Sequence, residues 1–413
     1  MKKNFLNEII ARDFFHQCTD QDNLNKLMNS ASIKAYIGFD CTAPSLHVGS
    51  LLQIMCLRML QKYGHQPIVL LGGGTTLIGD PSGKDATRKI LEDETINENI
   101  KKIKETFTQL LNIKDKNIAP IFVDNSEWLT KLKYIDFLRN IGRHFTINKM
   151  LSFDSVKLRL EREQSLSYME FNYMILQAYD YYRLNQDYNC ELQIGGSDQW
   201  GNIVNGVELI RKMSHKNSFG LTTPLITLSS GTKMGKTEKG AVWLNKDLLS
   251  PYDYWQFWRN TDDADVNRFL KYFTEIEINE LNQIIKKEKN INNLKILLAN
   301  ETTKLLHGEE SARDAENTAK ETFQGSGIGK DLPEINIPSK KIDLGINILD
   351  LLSSENIVSS KSEARRIIKN KGIRINDVVI INDKIIINKK TFKENNFIKI
   401  SNGKKKHYII KSI

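Results

Sequence analysis

Residues 33–50 read IKAYIGFDCTAPSLHVGS, and this stretch decides the fold. Residues 33–39 alternate and end in β-forming side chains, which predicts a buried strand. Residues 40–46 supply turn formers, and His47 then opens an amphipathic run that continues at helical spacing to Met59. The stretch therefore predicts a strand, a short loop and a helix in succession.

The start of this helix is a candidate anion site. Free backbone N–H groups and the positive end of the helix dipole face a ligand at such a position. Gly49 has no side chain, so a ligand can approach the backbone closely, and His47 can donate to a phosphate oxygen. Taken alone, the same residues also suit a capped helix with an incidental histidine.

A second segment, GTKMGKT at residues 231–237, favours the anion site. Its lysines, Lys233 and Lys236, lie three apart among glycines and small hydroxyl residues, which is typical of a mobile basic loop. Such a loop can fold over a polyphosphate while charge develops on it. By itself the segment would be interpreted as a solvated turn, but the two segments together are much more specific than either.

The two segments resemble the two signatures of class I aminoacyl-tRNA synthetases. Their surroundings are similar to those of bacterial and organellar tyrosyl-tRNA synthetases, in order over about residues 30–245: YIGFDCTAPSLHVG, GDPSGK, YMILQAYD, QIGGSDQWGN and KMGKT. One position departs from the family, because Ser50 stands where the first signature commonly has a second histidine. A hydroxyl group can hydrogen-bond a ribose but cannot carry charge.

Length and cysteine content bound the class of protein. A chain of 413 residues is expected to form two or three domains. It has no run of eighteen apolar residues, so no transmembrane helix is expected, and the N-terminal residues predict an ordinary helix, not a secretory signal. The four cysteines form no CxxC and no metal-ligand spacing. We therefore expect free thiols, no metal site built by the protein, and a cytoplasmic location.

Strands and helices alternate between Ile33 and Ile226. Further strands are predicted at residues 67–71, 121–123, 192–194 and 225–226, with helices at 99–111 and 168–188. This alternation predicts an α/β fold with a parallel sheet, whose ligands bind at the carboxyl ends of the strands. After Trp243 the strand signal stops, and residues 251–323 are predicted to be helical, with a turn over 286–293.

The net charge of +9 is concentrated at the C-terminal end. Residues 343–413 hold 15 Lys or Arg against 7 Asp or Glu, which leaves 44 against 43 in the first 342 residues. This asymmetry indicates a polyanion partner, although lysine-rich tails are also common in such a composition. A short basic helix from Ser359, ended by Gly372, precedes predicted strands at 373–376 and 378–387. The arrangement resembles the S4 RNA-binding module, with candidate RNA contacts at Lys361, Arg365, Arg366 and Lys369.

The resemblance implies four parts of the chain. Residues 1–229 would form a Rossmann-like nucleotide-binding catalytic domain. Residues 230–323 would form the signature loop and an α-helical anticodon-binding domain. Residues 324–342 would be a linker, because they are rich in Gly, Pro and Ser, and residues 343–413 would form a small α+β S4-like RNA-binding domain.

A polar stripe on the helix at 168–188 is the candidate amino-acid pocket. Tyr173, Gln177 and Asp180 are four and three residues apart, on one helix face, with aromatic flanks. A solvated polar stripe is the alternative. The resemblance implies that Asp180 and Tyr36 meet the phenol of tyrosine, with the remaining contacts, including those to the ammonium group, from Tyr173, Gln177, Asp80 and Gln193.

The sequence GGSDQ at residues 195–199 follows a predicted strand and opens a helix. An ordinary glycine turn with an aspartate cap is the alternative. The resemblance implies that ATP and the adenylate are contacted by Gly38, Asp40, Gly49, Gly196, Asp198 and Gln199. It implies that the phosphates and the departing pyrophosphate are contacted by His47, Thr42, Lys84, Lys233, Lys236 and Thr237.

The resemblance implies a tyrosine–tRNA ligase activity. L-Tyrosine would be activated with ATP, assisted by Mg²⁺ and without a tightly bound cofactor, and then transferred to the 3′ end of tRNA(Tyr). A homodimer built from the segment around residues 125–165 would bind one tRNA across both subunits. Two alternatives remain: a small-molecule nucleotidyltransferase, and a synthetase-like RNA-binding or splicing protein without aminoacylation activity.

Overall fold

The computed structural model describes residues 4–80, 91–229, 231, 234–237, 240–324, 332–392, 397–403 and 406–413. The chain divides into two compact units. The first unit comprises Met1–Leu249 and Thr261–Leu298, and the second comprises Ser250–Asn260 and Ala299–Ile413. Within the described residues, no helix combines the length and the apolar character that crossing a lipid bilayer requires.

The first unit is built on a six-stranded sheet with an additional short hairpin. The strands are β1 (Gln17–Cys18), β2 (Lys34–Asp40), β3 (Gln66–Gly72), β4 (Ile121–Asp124), β5 (Cys190–Gly196) and β6 (Phe219–Thr223), and the hairpin is β7 (Lys236–Thr237) and β8 (Gly240–Ala241). The strand order is β1-β6-β5-β2-β3-β4, in which β2 to β6 are parallel and β1 is antiparallel. Because β3 and β4 follow on one side of β2 while β5 and β6 lie on the other, the strand order reverses between β2 and β5. Ligands bind at such a switch point in α/β proteins.

Helices connect these strands. The helices that begin before residue 250 are α1 (Phe5–Ala11), α2 (Gln21–Ser30), α3 (Val48–Lys62), α4 (Gly73–Thr76), α5 (Asp93–Leu110), α6 (Ser126–Leu129), α7 (Tyr134–Asn140), α8 (Ile147–Ser152), α9 (Asp154–Glu161), α10 (Tyr168–Tyr188) and α11 (Trp200–Ser214). Strand β3 is buried from Pro67 to Gly72, as expected for a parallel strand covered on both faces. The α/β fold class predicted from the sequence is therefore confirmed.

Most of the predicted elements are present with small shifts of their ends. The strands predicted at 33–39, 67–71, 121–123 and 192–194 are β2, β3, β4 and β5, and the helix predicted at 168–188 is α10. The helix predicted at 99–111 begins six residues earlier, at Asp93.

The strand predicted at 225–226 is wrong, since the corresponding strand is β6, Phe219–Thr223. Pro224 follows β6 directly, and a proline has no N–H group with which to continue a sheet ladder. The pattern missed β6 because its sequence, Phe-Gly-Leu-Thr-Thr, is only partly apolar although every residue in it is buried.

Helix α10 carries the polar stripe, and its ends are strongly specified. The hydroxyl of Ser167 accepts from the backbone N–H of Glu170, while the Glu170 carboxylate accepts from the Ser167 N–H, which forms a capping box. The helix ends at Asn189, which adopts a left-handed conformation with φ of 53°. These caps fix where α10 begins and ends, and therefore where the polar stripe lies along the helix.

The second unit combines helices with a five-stranded sheet. The helices that begin after residue 250 are α12 (Pro251–Arg259), α13 (Asp263–Phe273), α14 (Ile278–Lys287), α15 (Ile291–His307), α16 (Glu309–Gln324), α17 (Ser339–Leu344), α18 (Ile348–Ser354) and α19 (Lys361–Lys369). Of these, α13 and α14 belong to the first unit, and α15 runs from the first unit into the second. The strands are β9 (Glu334–Ile337), β10 (Ile346–Asn347), β11 (Ile373–Ile375), β12 (Val378–Val379), β13 (Ile386–Ile387), β14 (Phe397–Asn402) and β15 (Lys406–Ser412). The sheet has the order β12-β11-β14-β15-β9, and α18 and α19 contribute to its apolar core.

Two details of this unit differ from the sequence analysis. Part of the segment predicted to be a linker, 324–342, forms β9, which pairs in parallel with β15, followed by the start of α17. The strand predicted at 378–387 is two short strands, β12 and β13, separated by a turn at Asn382 that accepts a hydrogen bond from the Lys384 N–H.

Candidate active site

A cavity of about 310 Å³ lies at the switch point between β2 and β5, towards the carboxyl ends of the strands. All twelve residues that the sequence analysis assigned to tyrosine and to the adenylate line it: Tyr36, Gly38, Asp40, Gly49, Asp80, Tyr173, Gln177, Asp180, Gln193, Gly196, Asp198 and Gln199. The topology of the sheet is what brings these distant segments together.

The residues assigned to the phosphates are placed less completely. His47 is at the start of α3, and Thr42 is exposed in the loop before it; neither lines the cavity. Lys84 and Lys233 lie outside the described residues. The backbone of Lys236 and Thr237 forms β7, while their side chains also fall outside the described part of the chain.

Asp180 is a buried carboxylate in the lining of the pocket. Its side chain is 1 % exposed. Asn125 Nδ2 donates to Oδ2 at 2.8 Å, and Trp128 Nε1 donates to Oδ1 at 2.7 Å. Each carboxylate oxygen keeps further acceptor capacity, so the group can receive another donor from a ligand.

The charge on Asp180 is finely balanced. Burial raises the pKa of Asp180 to about 7, against the hydrogen bonds from Asn125 and Trp128, and the carboxylates of Asp40 and Asp124 raise it further. A carboxyl group that titrates near neutrality in a pocket is typical of a functional site.

Two more polar atoms in this part of the pocket have no hydrogen-bond partner within the described residues. They are the hydroxyl oxygen of Tyr36 and Oε1 of Gln193, and both residues are at least 98 % buried. Buried polar atoms are normally paired, so this hydroxyl donor and this amide oxygen acceptor are suited to bind the polar groups of a ligand. Burial keeps the pKa of the Tyr36 hydroxyl well above its ordinary value, so the group remains a donor.

The opposite side of the pocket carries oriented acceptors. Tyr173 donates to Asp40 Oδ1 at 3.2 Å, and Gln199 Nε2 donates to Asp80 Oδ2 at 2.9 Å. Asn202 Nδ2 lies 2.9 Å from Gln177 Oε1, to which it donates. Hydrogen bonds of this kind fix which way each amide and carboxylate faces, and the cluster of oxygen atoms suits a cationic group.

The start of α3 has the geometry of an anion site. His47 is the N-cap residue, and its Nδ1 accepts from the Gly49 N–H at 3.0 Å. In the neutral imidazole the proton is then on Nε2, which is left as the donor. A side chain at position 49 would lie 2.6 Å from the His47 ring and would displace it, so the absence of a side chain at Gly49 keeps His47 in its capping position.

The two signature segments, far apart in the sequence, are in direct contact. Val48 N–H donates to Val242 O at 2.9 Å, and Val242 N–H donates to Gly235 O at 3.1 Å. Gly235 has φ of 98°, and a Cβ there would lie 2.7 Å from His47 Nδ1. The loop that carries the second signature is therefore seated on the helix start that carries the first.

Sequence reasoning missed several residues that orient the pocket. They are Asn125 and Trp128 on Asp180, Thr75 on Asp40, and Asn202 on Gln177 and Gln199. Asn202 lies one helical turn after Gln199, a spacing that could have suggested the contact. The other three follow short strands or lie in four-residue helices, where periodicity carries no signal.

The predicted RNA contacts lie together on α19. All four side chains are exposed: Lys361, Arg365, Arg366 and Lys369. Lys361 pairs with Asp350, and Arg365 Nε lies 3.5 Å from Asp383 Oδ2. Arg366 and Lys369 are in the last turn of the helix, where their charge also favours the helix dipole.

Comparisons with known proteins agree with this geometry. Residues 28–324 match the family model of class I tRNA synthetases (W and Y), and residues 325–410 match the model of the tyrosine–tRNA ligase SYY-like C-terminal domain. The chain is 61 % identical over 409 residues to a tyrosine–tRNA ligase of Pelagibacter ubique, covering 99 % of both chains. It is 52 % identical over 408 residues to a tyrosine–tRNA ligase of Rickettsia massiliae, covering 98 % of this chain and 99 % of that protein.

Solved structures show the same fold. A C-terminally truncated mitochondrial tyrosyl-tRNA synthetase of Aspergillus nidulans superposes with a TM-score of 0.70 at 29 % identity, covering 78 % of this chain and 95 % of that one. With the family models spanning most of its length, the chain belongs to the tyrosine–tRNA ligases, which are class I aminoacyl-tRNA synthetases.

Proposed function

We propose that the cavity binds L-tyrosine beside ATP, and that the enzyme forms tyrosyl-adenylate and then tyrosyl-tRNA(Tyr). The observation that carries this proposal is that the buried carboxylate of Asp180 and the unpaired hydroxyl of Tyr36 line the same cavity, near enough that, besides burial, the Asp180 charge raises the pKa of that hydroxyl. A phenol can donate its proton to the carboxylate while its oxygen accepts from Tyr36. Phenylalanine would leave the Tyr36 hydroxyl buried and unpaired and would offer no further donor to Asp180, which costs free energy relative to tyrosine.

The ammonium group of tyrosine is assigned to the opposite side of the pocket. Asp80, Tyr173 and Gln177 line this side, and their neighbours hold Asp80 and Gln177 with acceptor oxygens in place. Burial and the carboxylates of Asp40 and Asp80 keep the pKa of Tyr173 well above its ordinary value, so its hydroxyl stays neutral. A neutral hydroxyl beside carboxylates can accept from a cation without adding charge of its own.

ATP is assigned to the glycine-rich mouth of the cavity. Gly38, Gly49 and Gly196 allow close approach to the backbone, and Asp198 can accept from the ribose hydroxyls. A Cβ at position 196 would lie 2.6 Å from Asp198 Oδ1, so a residue larger than glycine would displace the Asp198 carboxylate. Ser50 lines the same wall, one residue along from Gly49, and can hydrogen-bond the ribose.

The first reaction needs positioning more than it needs a base. The carboxylate of tyrosine is already a nucleophile and attacks the α-phosphate of ATP, so the residues act by holding the reactants and by stabilising charge. His47 and Thr42 would contact the phosphates, and Lys84, Lys233, Lys236 and Thr237 would stabilise the departing pyrophosphate. Among the described residues no three His, Cys, Asp or Glu side chains form a metal site. We place Mg²⁺ on the phosphates of ATP, as part of the substrate.

A homodimer is proposed from an exposed apolar surface, here called the dimer surface. Helix α7 has no buried residue, and Tyr134 and Ile135 on it are 59 % and 70 % exposed. Exposed apolar side chains continue to Tyr168, whose hydroxyl lies 3.0 Å from that of Tyr134. Exposed apolar surface of this kind is typical of an interface, and a second copy of the chain is the partner that the family resemblance suggests.

The C-terminal segment, residues 343–413, is proposed to bind tRNA. Its net charge is strongly positive, with 15 Lys or Arg against 7 Asp or Glu, and α19 exposes four basic side chains to solvent. Such contacts act on phosphates and sense the shape of folded RNA more than its sequence. A cytoplasmic location is proposed because all four cysteines are free thiols, which persist in a reducing compartment.

The direct test of the activity is amino-acid-dependent exchange of pyrophosphate into ATP, measured with each of the twenty amino acids. Exchange is expected with tyrosine alone, because only tyrosine can pair with both Asp180 and Tyr36. Phenylalanine is the matched control, since it lacks only the hydroxyl. Exchange driven by tryptophan would contradict the assignment, and RNA binding without any exchange would favour an RNA-binding protein that does not aminoacylate.

The affinity for tyrosine should depend on pH through Asp180. With a pKa of about 7, the carboxyl group is mostly protonated at pH 6 and mostly ionised at pH 8, and the phenol donates to the ionised form. The dissociation constant measured by calorimetry should therefore fall roughly tenfold between pH 6 and pH 8 and then level off. Asp180→Asn is the control for titration of the ligand: it should bind weakly and show no such slope. A wild-type slope equal to that of the variant would rule out Asp180 as the titrating group.

The dimer surface can be tested with a charge in its centre. Ile135→Glu should shift the protein from dimer to monomer in sedimentation velocity, because a buried unpaired carboxylate is costly in an interface. Ile113→Glu is the matched control, since Ile113 is 51 % exposed but lies outside this surface, and it should leave the dimer intact. A wild-type protein that sediments as a monomer at micromolar concentration would contradict the proposal.

The basic helix α19 can be tested separately from catalysis. The double variant Arg366→Gln, Lys369→Gln should bind tRNA(Tyr) more weakly and charge it more slowly, with pyrophosphate exchange unchanged. Loss of two phosphate contacts should reduce the slope of log affinity against log salt by roughly 1.5. Lys101→Gln, Lys102→Gln removes the same charge from exposed positions on α5 and should retain wild-type charging. Equal effects of the two double variants would indicate a general charge effect and not a site on α19.

A further inference from the structure

The peptide groups on both sides of Cys41 are held by buried side chains from two other elements. Cys41 N–H donates to Thr76 Oγ1 at 2.8 Å, at the end of α4. Asn99 Nδ2, in the second turn of α5, donates to the Cys41 carbonyl oxygen at 2.9 Å. Both hydrogen bonds are buried, so neither is weakened by competition with solvent.

This arrangement determines the direction of the chain between two residues of the site. The Cys41 N–H belongs to the peptide plane shared with Asp40, and the Cys41 carbonyl belongs to the plane shared with Thr42. With both planes held, the backbone dihedrals of Cys41 have little freedom. Thr42, whose side chain is exposed, lies at the far end of the second plane, so Asn99 restrains the backbone from which that side chain projects.

Asp40 does not depend on Asn99 to the same degree. Its carboxylate has two further restraints on the cavity side, because Thr75 Oγ1 donates to Oδ1 at 3.0 Å and Tyr173 donates to the same atom at 3.2 Å. Movement of the second peptide plane would thus be felt at Thr42 before it was felt at Asp40.

The chemistry of the Cys41 side chain does not explain why the peptide groups on both sides of it are held. It is fully buried, and burial, followed by the nearby carboxylates of Asp40 and Asp124, raises the pKa of the thiol to about 12. The thiol therefore stays protonated and does no chemistry of its own. Asn99 is itself 4 % exposed, and because a buried amide is costly unless it is hydrogen-bonded, its bond to the Cys41 carbonyl oxygen is needed to keep the side chain where it is.

We propose that Asn99 is a positioning residue for adenylate formation, which acts by holding the peptide group that aims Thr42 at the phosphates of ATP. The proposal rests on the proposed function of the cavity, and it adds a residue that does not line the cavity. The proposal predicts different effects on the two substrates: loss of Asn99 should slow the reaction with ATP and leave the affinity for tyrosine unchanged.

The test is a double-mutant cycle between Asn99→Asp and Thr42→Ala, read by the single-turnover rate of tyrosyl-adenylate formation. Asn99→Asp replaces the Nδ2 donor by an oxygen atom with almost no change in volume. In the wild-type background it should slow the reaction about tenfold, with the tyrosine dissociation constant unchanged. In the Thr42→Ala background the same substitution should have little further effect, because the group it aims is already absent.

Asn97→Asp is the matched control, since Asn97 lies on the same helix, is exposed, and undergoes the same change of charge. It should leave the rate unchanged in both backgrounds. Asn99→Leu supplies a second variant should Asn99→Asp fail to fold, as judged by circular dichroism. It removes the same Nδ2 donor to the Cys41 carbonyl without adding a charge, and it should slow the reaction in the wild-type background but not in the Thr42→Ala background.

Equal losses in both backgrounds, or a parallel loss of tyrosine affinity, would show that Asn99 supports the fold alone and would overturn the proposal. An active wild-type enzyme with an unimpaired Asn99→Asp variant would overturn it as well, and would leave the proposed function standing. A wild-type protein without tyrosine-dependent exchange would overturn both.

Discussion

The pairing of β2 with β3 on one side and with β5 on the other is the constraint on which the rest of the structure depends. It places the end of β2, which carries Asp40, between the glycine-rich ends of β3 and β5. Because all three strands are parallel, their carboxyl ends open on one edge, and the helix that follows β2 begins there. A single topological feature thus supplies the cavity, its glycines and the anion-binding helix start.

The cavity is lined by acidic side chains, and this charge affects the two substrates differently. Asp40, Asp80, Asp180 and Asp198 line it, and no lysine or arginine is among its lining residues in the described part of the chain. This field attracts the ammonium group of an amino acid and raises the cost of ionising Asp180, but it opposes a polyphosphate. Binding of ATP therefore requires cations delivered from outside the cavity wall, which agrees with assigning this role to the lysine-bearing segments and to Mg²⁺.

A continuous set of hydrogen bonds connects the two ends of the pocket. Asn125 donates to Asp180 and to Thr75, and Thr75 donates to Asp40, which also accepts from Tyr173. Displacement of one member would leave its neighbour unsatisfied in a buried environment, so the network favours one arrangement of all of them. The sequence indicated the charged members of this network but not Asn125 and Thr75, because a buried amide or hydroxyl has no periodic signature. Strand β6 was not predicted for a related reason. Its glycine and threonines are buried because β6 lies between β5 and β1, and a local sequence pattern carries no information about that position in the sheet.

The contact between Gly49 and Gly235 has a consequence for how the protein can vary. A side chain at position 49 would meet the carbonyl oxygen of Met234 at 3.0 Å, and one at position 235 would meet the backbone nitrogen of Gly49 at 3.1 Å. The shortest contacts at both positions are with the His47 ring, at 2.6 Å from position 49 and 2.7 Å from position 235, and the φ of 98° at Gly235 disfavours any side chain there. A side chain at either position would therefore displace the His47 ring from the start of α3, so these two positions, 186 residues apart in the numbering, are constrained by the same histidine.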